Sequence, residues 1–255
     1  MTGAERAPGV LPELEARAAE LVPVVAGRLA QVRSRIAAAG GDPAKIRIVA
    51  VTKTFGPEVA VAALRNGLLD IGENYADELV AKAEALRGLP EGHRAAGVAP
   101  GANVVSWHFI GAIQRRKVAR LAPYVTWWET VARVEEAEAI LSRAPEPAPR
   151  ALVEVNISGD PGRPGCAPAD LAPLVSKVRH IGLDLRGLMA VAPLGADGPA
   201  VEGAFRDLAA RGRDLGLPEL SIGMSGDLEQ AVRAGSTMVR VGSALFGPRN
   251  PHAPR

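Results

Sequence analysis

Apolar residues recur every three or four positions from Leu11 to about Ala39, where Leu14, Ala18, Leu21, Val25, Leu29, Val32 and Ile36 form one stripe. That period predicts a long amphipathic helix. Pro23 is expected to bend or divide it, and Gly40 and Gly41 to end it. The pattern then changes to short apolar, β-branched runs at 46–52, 68–74, 104–111, 125–131, 151–158, 183–193, 219–225 and 237–247. Ala-, Leu- and Arg-rich stretches of helical period separate them, at 57–66, 75–88, 114–121, 133–143, 168–179, 199–215 and 227–234. Eight strands alternating with helices predict an α/β fold, a single (β/α)8 TIM barrel over residues 11–250 with an extra N-terminal helical segment. An open doubly wound sheet is the alternative, and the regularity of eight units favours closure. Residues 1–10 read as a flexible N-terminus. The Pro-rich pieces 88–102 and 143–150 read as loops within one domain.

Composition narrows the function classes. The 255 residues suffice for one large domain. Only 4% are aromatic against 47% apolar, so the core is built mainly of Ala, Val, Leu and Ile. A net charge of +2 calls for no nucleic acid. Cys166 stands alone, which rules out an internal disulfide or a thiolate metal cluster and suits a reducing compartment. With no apolar run near the length of a membrane span and no signal-peptide core, the expectation is a soluble cytoplasmic protein.

In a (β/α)8 barrel the chemistry gathers at the C-terminal strand ends. Those ends carry Lys53, Glu73, Asn74, His108, Gly111, Glu129, Thr130, Asn156, Ser158, Met189, Met224, Ser225, Arg240, Gly242 and Ser243. A lysine in a barrel mouth is partly desolvated, which frees its amine for a Schiff base. The alternative is a rim lysine paired with a carboxylate or phosphate. After the seventh strand, Gly223, Ser225 and Gly226 precede a helix opening at Asp227, a pattern that binds anions or simply caps the helix. Gly242 and Ser243 repeat the small-plus-hydroxyl signature after the eighth strand, and phosphate sites in such barrels use the last two loops. Arg240 shares a strand face with Gly242 and suits a ring nitrogen, a phosphate or an interior ion pair with Glu154. A lysine, a phosphate cup and an arginine in one mouth fit pyridoxal 5'-phosphate (PLP). They also fit a lysine-imine aldolase acting on a sugar phosphate.

The stretches "VAVTKTF", "IGENYADEL", "WHFIGAIQRRK", "LVEVNIS", "RGLMAVAP" and "LSIGMSGDLEQAVRAGSTMVRVGSALFG" span about residues 46 to 247. In them the chain resembles the YggS/PROSC family of pyridoxal phosphate homeostasis proteins. The resemblance implies a barrel like the N-terminal domain of alanine racemase (fold type III), with PLP held as a Schiff base. By motif it implies Lys53 as the Schiff-base lysine and Arg240 at the pyridine nitrogen. It also implies Ser225, Gly242 and Ser243 at the phosphate, Asn74 by the ring's 3-hydroxyl, and His108, Met189 and Met224 lining the pocket. Gap-filling core roles for the two methionines stand beside that reading. An arginine at the ring nitrogen keeps it unprotonated and weakens the cofactor as an electron sink.

The chain departs from the family pattern in "AIQRRK" with Arg115 and Arg116, in "ENYADE" with Asp77, and in "SGDPGRPGCAP" with Arg163 and Pro164. These bear on an accessory PLP site or partner contact rather than the main pocket. Neither Tyr75 nor Tyr124 is an evident base for the face opposite Lys53. The expected function is therefore PLP binding in vitamin B6 homeostasis without evident turnover, possible recipients being apo PLP-dependent enzymes. A racemase of low activity or a lysine-imine aldolase is the alternative. The chain is expected to be a monomer. Trp107, Trp127 and Trp128 are expected to pack between barrel and helices, and Cys166 is taken as incidental.

Overall fold

The computed structural model describes residues 10–87 and 105–248. Residues 1–9, the loop 88–102 and the first position of the third apolar run lie outside them. Helix α1 runs unbroken over Val10–Ala38 with Pro23 inside it, so the expected division does not occur. Pro23 and Ala19, four residues before it, are exposed; the ring and the carbonyl it frees face solvent, where water satisfies the lost bond. The helix stops where Gly40 takes φ +88° and Gly41 N–H donates back to Ile36 O.

All eight expected strands form. They are β1 (Arg47–Val51), β2 (Asp70–Glu73), β3 (Ser106–Phe109), β4 (Val125–Val131), β5 (Arg150–Glu154), β6 (Asp184–Met189), β7 (Glu219–Ser221) and β8 (Met238–Val241). Between them lie α2 (Pro57–Arg65), α3 (Ala76–Arg87), α4 (Arg115–Leu121), α5 (Val134–Leu141), α6 (Leu171–His180), α7 (Gly198–Asp214) and α8 (Leu228–Arg233). A short α9 (Ser243–Phe246) closes the list; it falls inside the last strand-like run, which its apolar residues had extended. All neighbours pair in parallel, and β1 pairs β8 in the register Ile48↔Val239, Ala50↔Val241, so the sheet is a closed barrel. The open-sheet alternative is excluded.

Alternation along the strands divides the core in two. Outward residues such as Ala50, Ile71, Trp107, Phe109, Trp128 and Val153 pack under the helices. Inward residues Val49, Trp127, Leu152, Met189 and Met238 fill the barrel. Trp127 therefore corrects the expectation for the three tryptophans: it points inward and stacks on His108 at 5.5 Å, because its neighbour Trp128 takes the outward position. Helix α1 buries its stripe against the outside of the barrel, with Ala18 beside Val61 of α2. Arg35 ties it to Glu229 of α8 through two bonds of 2.6 and 2.8 Å. Among the described residues no helix is long and apolar enough to cross a membrane.

Candidate functional site at the barrel mouth

Strand β1 delivers Lys53 to the C-terminal rim. Val51 and Thr52 are buried and Lys53 is half-buried in the turn toward α2. Thr54, the next residue, holds φ +68°, a left-handed conformation that non-glycine residues rarely adopt. The turn closes with Phe55 N–H donating to Thr52 O at 3.1 Å, and Thr54 N–H donates to Glu78 Oε2 at 2.8 Å.

Next to it stand the last two loops. Ser225 Oγ accepts from Ala244 N–H at 3.2 Å, which joins the loop after β7 to the start of α9. Gly242 lies against β1: a Cβ there would sit 3.2 Å from Val51 O. Phe55 packs on Phe246 of α9 with ring centroids 5.7 Å apart. Closure of the barrel thus brings Lys53, Ser225, Gly242 and Ser243 to one stretch of rim, although they come from opposite ends of the chain. Asn74 follows β2 on the neighbouring side, and its carbonyl presses so closely on Gly111 that a Cβ there would lie 1.9 Å from it.

Beneath the rim a chain of polar groups threads the interior. Arg47 Nη1 donates to Asp70 at 3.1 Å, and Asp70 bonds His108 Nε2 at 2.9 Å. His108 Nδ1 bonds Glu129 at 2.6 Å. Ser221 Oγ donates to the other Glu129 oxygen at 2.6 Å and accepts from Arg240 Nη1 at 2.7 Å. Arg240, 4% exposed, also donates to Ser221 O and Ala190 O at 2.7 and 2.9 Å. Burial opposes the charge on His108, yet its bonds to Asp70 and Glu129 prevail and raise its pKa above the ordinary value. Both carboxyls are held below theirs, because burial is outweighed by the His108 bonds. Burial pushes Arg240 down, against the pull of Glu129 and Glu154. Glu154, at the end of β5, is lifted to about 7 by burial, with the Arg240 charge opposing.

The structure places two of the expected pocket-lining residues inside the barrel. His108 is 0% exposed and Met189 2%. Both are packed inside the barrel, His108 between two carboxylates and Met189 among Trp127, Leu152 and Met238, so they form the floor under the mouth rather than its open wall. Met224 is 38% exposed and borders an open groove with Val191, Ala192, Pro193, Asp227 and Gln230. Arg240 meets Glu129 at 3.9 Å; Glu129, not only Glu154, is its interior counter-charge. The reading of the sequence missed Lys82 of α3, which is 3% exposed and reaches Glu73 at 2.5 Å and Thr52 O at 2.7 Å. The signal for it was present: Glu78 and Lys82 stand four apart on one helix face. Cys166 has its thiol lifted to about 11 by burial, consistent with an inert residue. Among the described residues no cluster of His, Cys, Asp and Glu could hold a metal ion.

Residues 28–250 match the family model of the alanine racemase N-terminal domain. The chain is 39% identical over 230 residues to the pyridoxal phosphate homeostasis protein of Pseudomonas aeruginosa, a match covering 88% of this chain and 94% of that one. The protein of the same name from Deinococcus radiodurans is also 39% identical, covering 86% and 97%. Among solved structures, PipY of Synechococcus elongatus with PLP bound is 29% identical with a TM-score of 0.72, covering 88% of this chain and all of PipY. Alanine racemase from Clostridium difficile, 15% identical with a TM-score of 0.63, shares the fold over 57% of its own length. An identity of 39% across nearly the whole length of these curated relatives, with the family-model match over residues 28–250, shows that this chain belongs to the family of pyridoxal phosphate homeostasis proteins.

Proposed function

We propose that this chain binds PLP in the barrel mouth through the Lys53 amine and holds it reversibly, as a protein of cofactor homeostasis. The observation that carries the reading is the rim itself: β1–β8 pairing sets the Lys53 turn beside Ser225, Gly242 and Ser243. That rim fits the cofactor. The Gly242 cradle admits no side chain without crowding Val51, and small groups with hydroxyls and backbone N–H suit a phosphate. When bound, the cofactor supplies an aldehyde for an amine and a ring able to accept electrons.

Lys53 offers the amine from a half-buried turn. Ser225, Gly242 and Ser243 would hold the phosphate, and Asn74 would lie by the ring's 3-hydroxyl. Arg240, fixed by Ser221 and Ala190, would place its positive charge by the ring nitrogen and disfavour a proton there, which would weaken the electron sink. Holding rather than turnover follows. Tyr124 supports this, since its hydroxyl is committed to Glu84 and does not serve the mouth. We further infer that the protein acts in the cytoplasm as a monomer, with apo PLP-dependent enzymes as recipients.

The test is an absorption spectrum of wild type and Lys53→Ala after PLP loading and desalting. A band near ~420 nm retained by wild type alone supports the reading. A spectrum without retained PLP in either protein overturns it, and turnover of amino-acid enantiomers would replace holding with catalysis.

A further inference from the structure

We infer that Lys82 and Glu78 of α3 are positioning residues for Lys53, gripping the backbone on both sides of it. This rests on Lys53 being the cofactor lysine. The Lys82 ammonium has three acceptors: Thr52 O at 2.7 Å, Glu73 Oε1 at 2.5 Å and Glu78 Oε2 at 3.3 Å. Three donors therefore meet three oxygens in a buried site, where any unmet donor would be costly. The first acceptor belongs to the residue before Lys53. The third also accepts from Thr54 N–H at 2.8 Å, the residue after it. One ion pair thus fixes the carbonyl entering Lys53 and the amide leaving it.

The turn needs that grip. Thr54 sits at φ +68°, and its buried Oγ1 finds no hydrogen-bond partner, so its own hydroxyl does nothing to hold the conformation. Thr52 Oγ1 adds a third tie, donating to Glu73 Oε1 at 2.6 Å. Glu73 lies at the end of β2 and Lys82 on the following helix, so the β2–α3 unit sets where the β1 lysine points. A lysine on an unheld turn would sample many directions, and a small misplacement of a reacting amine slows its attack strongly.

The experiment compares wild type with Glu78→Ala, Glu78→Gln and Lys82→Met. Glu78→Gln keeps an acceptor for Thr54 N–H, and Glu78→Ala removes it from a half-buried site where loss of fold is not expected. Two quantities are read: amide hydrogen exchange at Thr54 without PLP, and the rate at which PLP is trapped on Lys53 by borohydride, located by peptide mapping. Thermal melting confirms the fold. Glu78→Ala and Lys82→Met should exchange Thr54 and lose trapping rate by about tenfold each, with Glu78→Gln near wild type. Unchanged exchange in folded Glu78→Ala overturns the clamp. Faster exchange with an unchanged trapping rate overturns its role in aiming Lys53. Wild type that traps no PLP on Lys53 sinks the cofactor reading instead, and the exchange data alone then judge the clamp.

Discussion

Glu154 is 6% exposed at the end of β5, and burial lifts its carboxyl from 4.5 to about 7 in spite of the Arg240 charge. A raised acid favours the folded state while protonated. Its contribution is intact below the unfolded value and eroded as pH rises to about 7, by up to roughly 3 kcal/mol. His108 acts in the same direction: its raised pKa gives stability present below the unfolded value and lost as pH climbs through the folded one. Asp70 and Glu129 act oppositely, since their lowered values give stability that is lost as pH falls through them. The apo protein should therefore melt highest at about pH 5, and Glu154→Gln should melt above wild type at pH 8 but not at pH 5. Equal melting shifts at both pH values would contradict the assignment. The rim placement of Lys53, Ser225 and Ser243 was legible in the sequence because strand ends and small-residue loops mark it. The inward turn of Trp127 and the placement of His108 between two carboxyls were not, since both depend on which face closes on which partner across the barrel.

At the scale of elements, close contacts between neighbours set the register. Gly187 of β6 faces β7 so tightly that a Cβ would lie 1.9 Å from Glu219 O. Gly187→Ala should cost about 1–3 kcal/mol by forcing those strands apart, measured by urea denaturation. A loss under half a kcal/mol would show that the strands shift freely. Strand and helix order was legible from the change of period after Gly41, and the ends were not. Runs such as 183–193 and 237–247 stayed apolar past the last ladder bond, the first into a loop anchored by buried Ala190 and the second into α9, whose Leu245 is buried. Pro23 misled for the converse reason: its consequence depends on solvent at Ala19, which a linear pattern does not show.

The whole molecule is a ring whose first and last strands are partners. The sedimentation coefficient should be that of one chain, with or without PLP, over a hundredfold range of concentration; a concentration-dependent dimer would overturn the monomer assignment. The same closure governs when the molecule becomes competent. Strand β1 and α1 need β8, α8 and Leu245 beside Arg28, and Lys53 needs Ser225 and Gly242. During synthesis at ~5–20 residues per second the lysine emerges roughly 10–40 s before Ser225 and Gly242, the phosphate-binding residues proposed above. On the proposed reading, a nascent chain on the ribosome carries the lysine before the cup that would retain a vitamer, and loading waits until β8 has closed the ring.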